Sequence, residues 1–221
     1  MPSRKEVIDK TKEYIKNKLG KGEAGHDWWH AFRVWQNAKY IAKKEGGDLF
    51  VIELAALLHD IADWKFNLGD DNIGPKLARE WLKKMQVDEK IISHVYEIIK
   101  EMSFKGSKVK TQMCTEEGMI VQDADRLDAI GAIGIARGFM FAGNKNLLMH
   151  NPLIKPLGNI DNYETYKNLK RPTYTQINHF YEKLLLLKNL MNTKTGKRLA
   201  RGRHEFLKKY LKQFFKEWNI K

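Results

Sequence analysis

Cysteine is almost missing from this chain: Cys114 is the only one. An intramolecular disulfide and a cysteine-built zinc site are therefore excluded. A reducing cytoplasm is the expected compartment. No apolar run is long enough to cross a bilayer, and the first residues, Met1-Pro2-Ser3-Arg4-Lys5-Glu6, lead into no apolar signal core. Strand-like alternation, internal repeats and low-complexity tracts are absent. So is the Gly-x-x-x-x-Gly-Lys-Ser/Thr loop of ATP- and GTP-driven enzymes. Acidic residues are in deficit, 27 against 40 Lys and Arg, which leaves a net charge of +13. That balance favours anionic partners without choosing among nucleotides, nucleic acid and anionic lipid.

What is present reads as helix. The 221 residues suffice for one domain that needs no disulfide or structural metal to fold. The 43% apolar and 30% charged fractions suit a globular protein. Apolar residues at helical spacing predict helices over about 6–19, 24–44, 50–61, 76–85, 88–102, 115–137, 175–191 and 195–218. Asp27 and Asp48 stand where helix caps belong, and Gly46-Gly47 stops the second helix. Residues 64–75 read as a loop and a candidate lid. The stretch 143–173, with Pro152, Pro156 and Pro172, reads as irregular. The expected fold is all-α, a single domain with its core over about 20–140, an irregular loop over 141–173 and C-terminal helices over 174–221 packed on that core. The C-terminal cations, Lys194 to Lys216, are interleaved with apolar residues and read as a solvated helix face.

The chemistry concentrates on Leu57-Leu58-His59-Asp60-Ile61-Ala62-Asp63. Adjacent side chains on a helix diverge by about 100°, so His59 and Asp60 can meet at one ion only near a helix end. Upstream, His26, His30 and Arg33 share one helix face, flanked by Trp28, Trp29, Phe32 and Trp35. Downstream, Asp123, Asp125 and Asp128 sit among apolar and small residues. His30, His59, Asp60 and one of those aspartates form a mixed nitrogen and oxygen donor set. Such a set suits Mn²⁺, Fe²⁺, Ni²⁺ or Zn²⁺, with Mg²⁺ admissible alongside a phosphorylated substrate. A divalent ion there could lower the pKa of bound water and polarise a phosphoryl oxygen. Arg33, Lys65, Lys105 and Arg126 supply the positive charge a polyphosphate requires. Asp63, one turn beyond the His-Asp pair, is a candidate proton acceptor. His94 and Arg137 are further candidate substrate contacts.

These residues resemble the HD-domain metal-dependent phosphohydrolases, whose pattern is one His, an adjacent His-Asp and a distant Asp. The resemblance maps the metal ligands onto His30, His59, Asp60 and Asp125. The context Ala124-Asp125-Arg126-Leu127 favours Asp125, with Asp123 the alternative and Asp128 a residue that could support the ligands. Four motifs narrow the likeness to the small bacterial YpgQ/YedJ-type members. They are His26-Asp27-Trp28-Trp29-His30-x-x-Arg33-Val34, the His59-Asp60 stretch, Ser103-Phe104-Lys105-Gly106, and Gln122-Asp123-Ala124-Asp125-Arg126-Leu127-Asp128-Ala129-Ile130-Gly131-Ala132. His179-Phe180-Tyr181-Glu182-Lys183-Leu184 and Ala200-Arg201-Gly202-Arg203 extend it over nearly the whole chain. The resemblance implies an HD-type helical bundle with additional C-terminal helices. It implies a nucleotide phosphohydrolase, nucleoside triphosphate pyrophosphohydrolysis first. Asp63, Arg33 and Lys105 would act in catalysis, and Arg33, Lys65, His94, Lys105, Arg126 and Arg137 would hold substrate. A 5′-nucleotidase and a cyclic-nucleotide or (p)ppGpp hydrolase would use the same donor set. A basic nucleic-acid-binding module is the reading from another class; it is disfavoured because no helix-turn-helix or zinc-finger motif is present.

Overall fold

The computed structural model describes residues 2–20, 27–62, 72–102, 113–157 and 175–220. Regular structure among them is helical, apart from an isolated bridge between Leu148 and Thr175. The fold is all-α, as the periodicity predicts. Spatial contacts divide the chain into two compact units. One comprises Met1–Phe104 and Thr111–Asp125; the other comprises Lys105–Lys110 and Arg126–Lys221.

The first unit is organised around its most apolar helix. Helix α1 (Arg4–Leu19) begins with a reciprocal-type cap sequence, Ser3-x-x-Glu6, in which the Ser3 hydroxyl accepts the Glu6 N–H. Helix α2 (Trp28–Glu45) is capped by Asp27, whose side chain accepts the His30 N–H at 2.8 Å. Gly46 and Gly47 follow at φ +100° and +86°, a left-handed pair that turns the chain sharply into α3 (Leu49–Leu58). Asp48 caps α3 by accepting the Phe50 N–H. Phe50, Val51, Ile52, Leu54, Leu57 and Leu58 are all buried, so α3 is apolar all round except at Glu53 and packs against α1, α2 and α5. Burying six large side chains contributes roughly 10 kcal/mol in gross terms. The end of α3 is thus a rigid pedestal.

Helix α4 (Ile73–Lys84) starts earlier than the expected residue 76. Pro75 lies in its first turn, where a missing N–H costs nothing. Helix α5 (Glu89–Glu101) pairs with α4 and is capped by Asp88. Trp81 of α4 stacks on Tyr14 of α1 at 3.9 Å and donates its indole N–H to Thr11 Oγ1.

The expected helix over 115–137 is two helices. Helix α6 (Glu116–Asp128) ends before Ile130, and α7 (Gly131–Asn144) begins at a glycine with φ +78°. A Cβ at Gly131 would lie 3.1 Å from the Arg203 side chain. The backbone turn and that close approach account for this glycine.

In the second unit the expected helix over 175–191 is broken into three pieces. A single α turn, α8 (Gln176–His179), widens into a π turn (Phe180–Leu184) and then tightens into a 3-10 turn (Leu187–Leu190). Phe180 is fully buried and stacks on Tyr210 at 5.7 Å. Glu182 turns its carboxylate inward to accept the Leu157 N–H at 2.8 Å; burial raises its pKa, and that hydrogen bond partly offsets the rise. Helix α9 (Lys194–Trp218) is capped by Thr193. His150 is boxed by Phe214, Phe215 and Trp218, with its ring 4.8 Å from the Trp218 ring.

Burial holds His150 and His204 below the ordinary histidine pKa of 6.5, and their Nδ1 atoms have no hydrogen-bond partner among the described residues. Both are favoured neutral in the folded state. Below pH 6.5 the unfolded chain takes up these protons first, so their share of the stability is present above that pH and is lost as pH falls through the lowered folded values. Thermal melts between about pH 5 and pH 7.5 should therefore show a midpoint that falls toward acid. The fall should be shallower in a His150→Gln/His204→Gln variant.

Candidate metal centre

Three elements of the first unit deliver the donor atoms. Helix α2 presents His30 one turn from its capped start. Helix α3 stops at Leu58, short of the expected residue 61, because the Ile61 N–H closes onto the Leu58 carbonyl three residues back. This tighter turn carries His59 and Asp60. Helix α6 brings Asp125.

The atoms converge. His30 Nε2 lies 3.1 Å from His59 Nε2 and 3.2 Å from Asp60 Oδ2. His59 Nε2 lies 3.6 Å from Asp60 Oδ2. Asp125 Oδ1 stands 3.5 Å from His30 Nε2 and 3.9 Å from His59 Nε2. Donor atoms at bond lengths of about 2.1 Å around one ion are separated by roughly 3 Å when adjacent and about 4 Å when opposed. Every separation here falls in that interval. His30, His59 and Asp60 are the cluster among the described residues whose donor atoms all lie within 4.8 Å of one another.

The tautomer of His59 fits the same use. Its Nδ1 lies 2.9 Å from the Ala56 carbonyl, which can only accept, so Nδ1 carries the proton. In that tautomer His59 turns the Nε2 lone pair toward His30 and the two carboxylates, as a ligating imidazole requires. The imidazole side chains are 1% and 3% exposed, Asp60 is 18% and Asp125 35%. Access from solvent is on the carboxylate side.

The other candidates are distributed more widely. Arg33 is half-buried on α2, three residues beyond His30 and on the same face. His94 on α5 faces Glu117, with 3.6 Å between Nε2 and Oε2, and Glu117 also accepts the Asp48 N–H. The sequence offered no sign of this Glu117 link, since it joins three elements far apart in the chain. In the second unit, Arg126 donates to the Leu190 carbonyl and Arg137 pairs with buried Asp128 at 2.9 Å. Asp123 is fully buried. His26, Asp63, Lys65 and Lys105 lie outside the described residues.

Comparison with known proteins agrees with this arrangement. The family model of the HD domain matches residues 28–130. YpgQ of Bacillus subtilis (strain 168) is 37% identical over 212 residues, spanning 95% of this chain and 92% of YpgQ. The chain belongs to the HD superfamily. Among solved structures, the HD-superfamily hydrolase from Bacillus thuringiensis is 42% identical with a TM-score of 0.73, over 99% of this chain and 100% of that one. Bacillus subtilis YpgQ in complex with ADP is 36% identical, also with a TM-score of 0.73, over 96% of this chain and 98% of that one. The protein is thus an HD-type, metal-dependent phosphohydrolase. HD domains bind divalent metals, and the His30–His59–Asp60 cluster fits that chemistry. No helix among the described residues is long and apolar enough to cross a membrane.

Proposed function

We propose that this HD phosphohydrolase cleaves the phosphoanhydride of a nucleoside triphosphate, releasing pyrophosphate and the monophosphate. The observation that carries the reading is the convergence of two imidazole Nε2 atoms at 3.1 Å with the Asp60 carboxylate beside them. The ADP complex of the relative YpgQ adds a nucleotide to the argument.

His30, His59, Asp60 and Asp125 hold a divalent transition ion, Mn²⁺, Fe²⁺, Ni²⁺ or Zn²⁺, and Mg²⁺ accompanies the substrate. When bound, such an ion acidifies water and polarises a phosphoryl oxygen. The Ala56 carbonyl fixes the orientation of His59, so its lone pair is aimed before substrate arrives. Asp63 takes the proton of the attacking water. The water oxygen bonds to the α-phosphorus, the bond to the bridging oxygen breaks, and pyrophosphate leaves. Arg33, Lys65 and Lys105 offset the charge of the phosphate chain by position and electrostatics.

The test is a metal-supplemented panel of nucleoside mono-, di- and triphosphates with product identification. Pyrophosphate and monophosphate from a triphosphate are expected. Orthophosphate from a monophosphate would make the protein a 5′-nucleotidase, and turnover confined to a cyclic nucleotide or to (p)ppGpp would move it to those hydrolases. In the same assay Asp63→Asn should lower kcat by about 10²-fold or more with KM little changed, the signature of a lost proton acceptor.

A further inference from the structure

Helix α9 holds nine Lys and Arg against two Glu, a net +7 of the chain's +13. The structure shows how those charges are arranged. Lys194, Lys197, Arg201, Lys209, Lys212 and Lys216 are all exposed. At 3.6 residues per turn they fall within a sector of roughly 120°. Lys208 lies in the same sector, paired at 3.4 Å with Glu205, the one carboxylate of the helix on that side. At 1.5 Å per residue the ridge from Lys194 to Lys216 is about 33 Å long.

We infer that this ridge is a docking surface for the phosphodiester backbone of duplex nucleic acid. Its length is close to one duplex turn of about 34–36 Å. Its charge is opposite in sign to a polymer bearing one negative charge per ~1.7 Å of axis. The cations are mostly lysines, point charges on flexible stems, which suit phosphate contacts and not base-edge reading. Binding without sequence preference follows. A lipid surface is the poorer match. An interfacial helix lays a continuous apolar face into the acyl boundary, whereas α9 buries Ala200, Leu207 and Leu211 within its own unit and exposes only Phe206 and Trp218 among its large apolar side chains, about 120° apart round the helix. The ridge uses no residue of the metal centre, so a polymer held there is a partner additional to the nucleotide substrate.

The test is fluorescence anisotropy of a labelled duplex of mixed sequence, about 25 base pairs long, titrated with the full-length protein across a salt series. Wild type should bind with a slope of log K against log salt near −4 or steeper, about −0.9 per phosphate neutralised. Lys208→Gln/Lys209→Gln/Lys212→Gln/Lys216→Gln should weaken binding at least about tenfold at ~100 mM salt and flatten the slope by roughly 3. A control with the same charge loss, Lys5→Gln/Lys10→Gln/Lys16→Gln/Lys18→Gln on exposed positions of α1, should bind nearly as wild type. His30→Ala should bind duplex unchanged, which separates the ridge from the metal centre. Unchanged hydrolysis and far-UV circular dichroism in the ridge variant show that it folds. The inference is overturned by absence of duplex binding at low salt, by equal weakening in the α1 control, or by an unaltered ridge variant. Co-sedimentation with phosphatidylserine vesicles as strong as the duplex affinity would reassign the ridge to lipid and overturn it equally.

Discussion

Asp60→Ala is expected to lower metal-dependent turnover by at least about 10³-fold, roughly 4 kcal/mol in transition-state free energy. The reason is geometric. Asp60 Oδ2 lies 3.2 Å from His30 Nε2 and 3.6 Å from His59 Nε2, and its side chain is 18% exposed. It faces both the paired imidazoles and the accessible side of the centre. Little packing is lost with it, because the buried apolar residues of α3 end at Leu58. The helical circular dichroism and the melting midpoint should therefore stay close to wild type while kcat collapses. Normal turnover at saturating Mn²⁺ would remove Asp60 from the centre.

Asp123 and Asp125, two of the three aspartates of α6, should respond in opposite ways. Asp125 stands near both imidazoles and is partly exposed, so Asp125→Ala should cost about 10²-fold or more in kcat with the fold retained. Asp123, two positions earlier, is fully buried and faces elsewhere on the helix. Removing a fully buried carboxylate leaves the groups folded around it without their partner, at a cost of about 1–3 kcal/mol. For a chain of this size that lowers the melting midpoint by roughly 5 °C. Activity assays paired with thermal melts separate the two. Asp123→Ala with a wild-type midpoint and no turnover would exchange their roles.

The helical class was legible in the chain because apolar spacing is local; the His59-Asp60 pair is visible as a dipeptide, and joining it to His30 and Asp125 is what the family resemblance implies. Apolar spacing marks α1 to α5, and the His59-Asp60 pair sits at the end of the most apolar of them. The breaks were not legible. Gly131 reads as one more small residue in a long helix, and only its φ of +78° against the Arg203 side chain makes it a corner. The π turn at Phe180 to Leu184 has no periodic signature; it is fixed by seating Phe180 against Tyr210 and Glu182 against Leu157. The facing of His94 and Glu117, and the retention of Arg126 and Arg137 by Leu190 and Asp128, depend on contacts between residues distant in sequence. In the C-terminal helix the charged face was already readable from the spacing; the structure adds that Ala200, Leu207 and Leu211 are buried on the other side and that Arg203 turns away from the face to the Leu127 carbonyl.

His30, His59, Asp60 and Asp125 are expected to act together in holding one ion. Metal content measured by elemental analysis tests this most directly, after chelator stripping, reloading with Mn²⁺ and gel filtration, for wild type and for His59→Ala. Wild type should retain about one equivalent or more per chain, and His59→Ala should retain at least about tenfold less under the same conditions. Equal Mn²⁺ in the two proteins, with both folded, would contradict it.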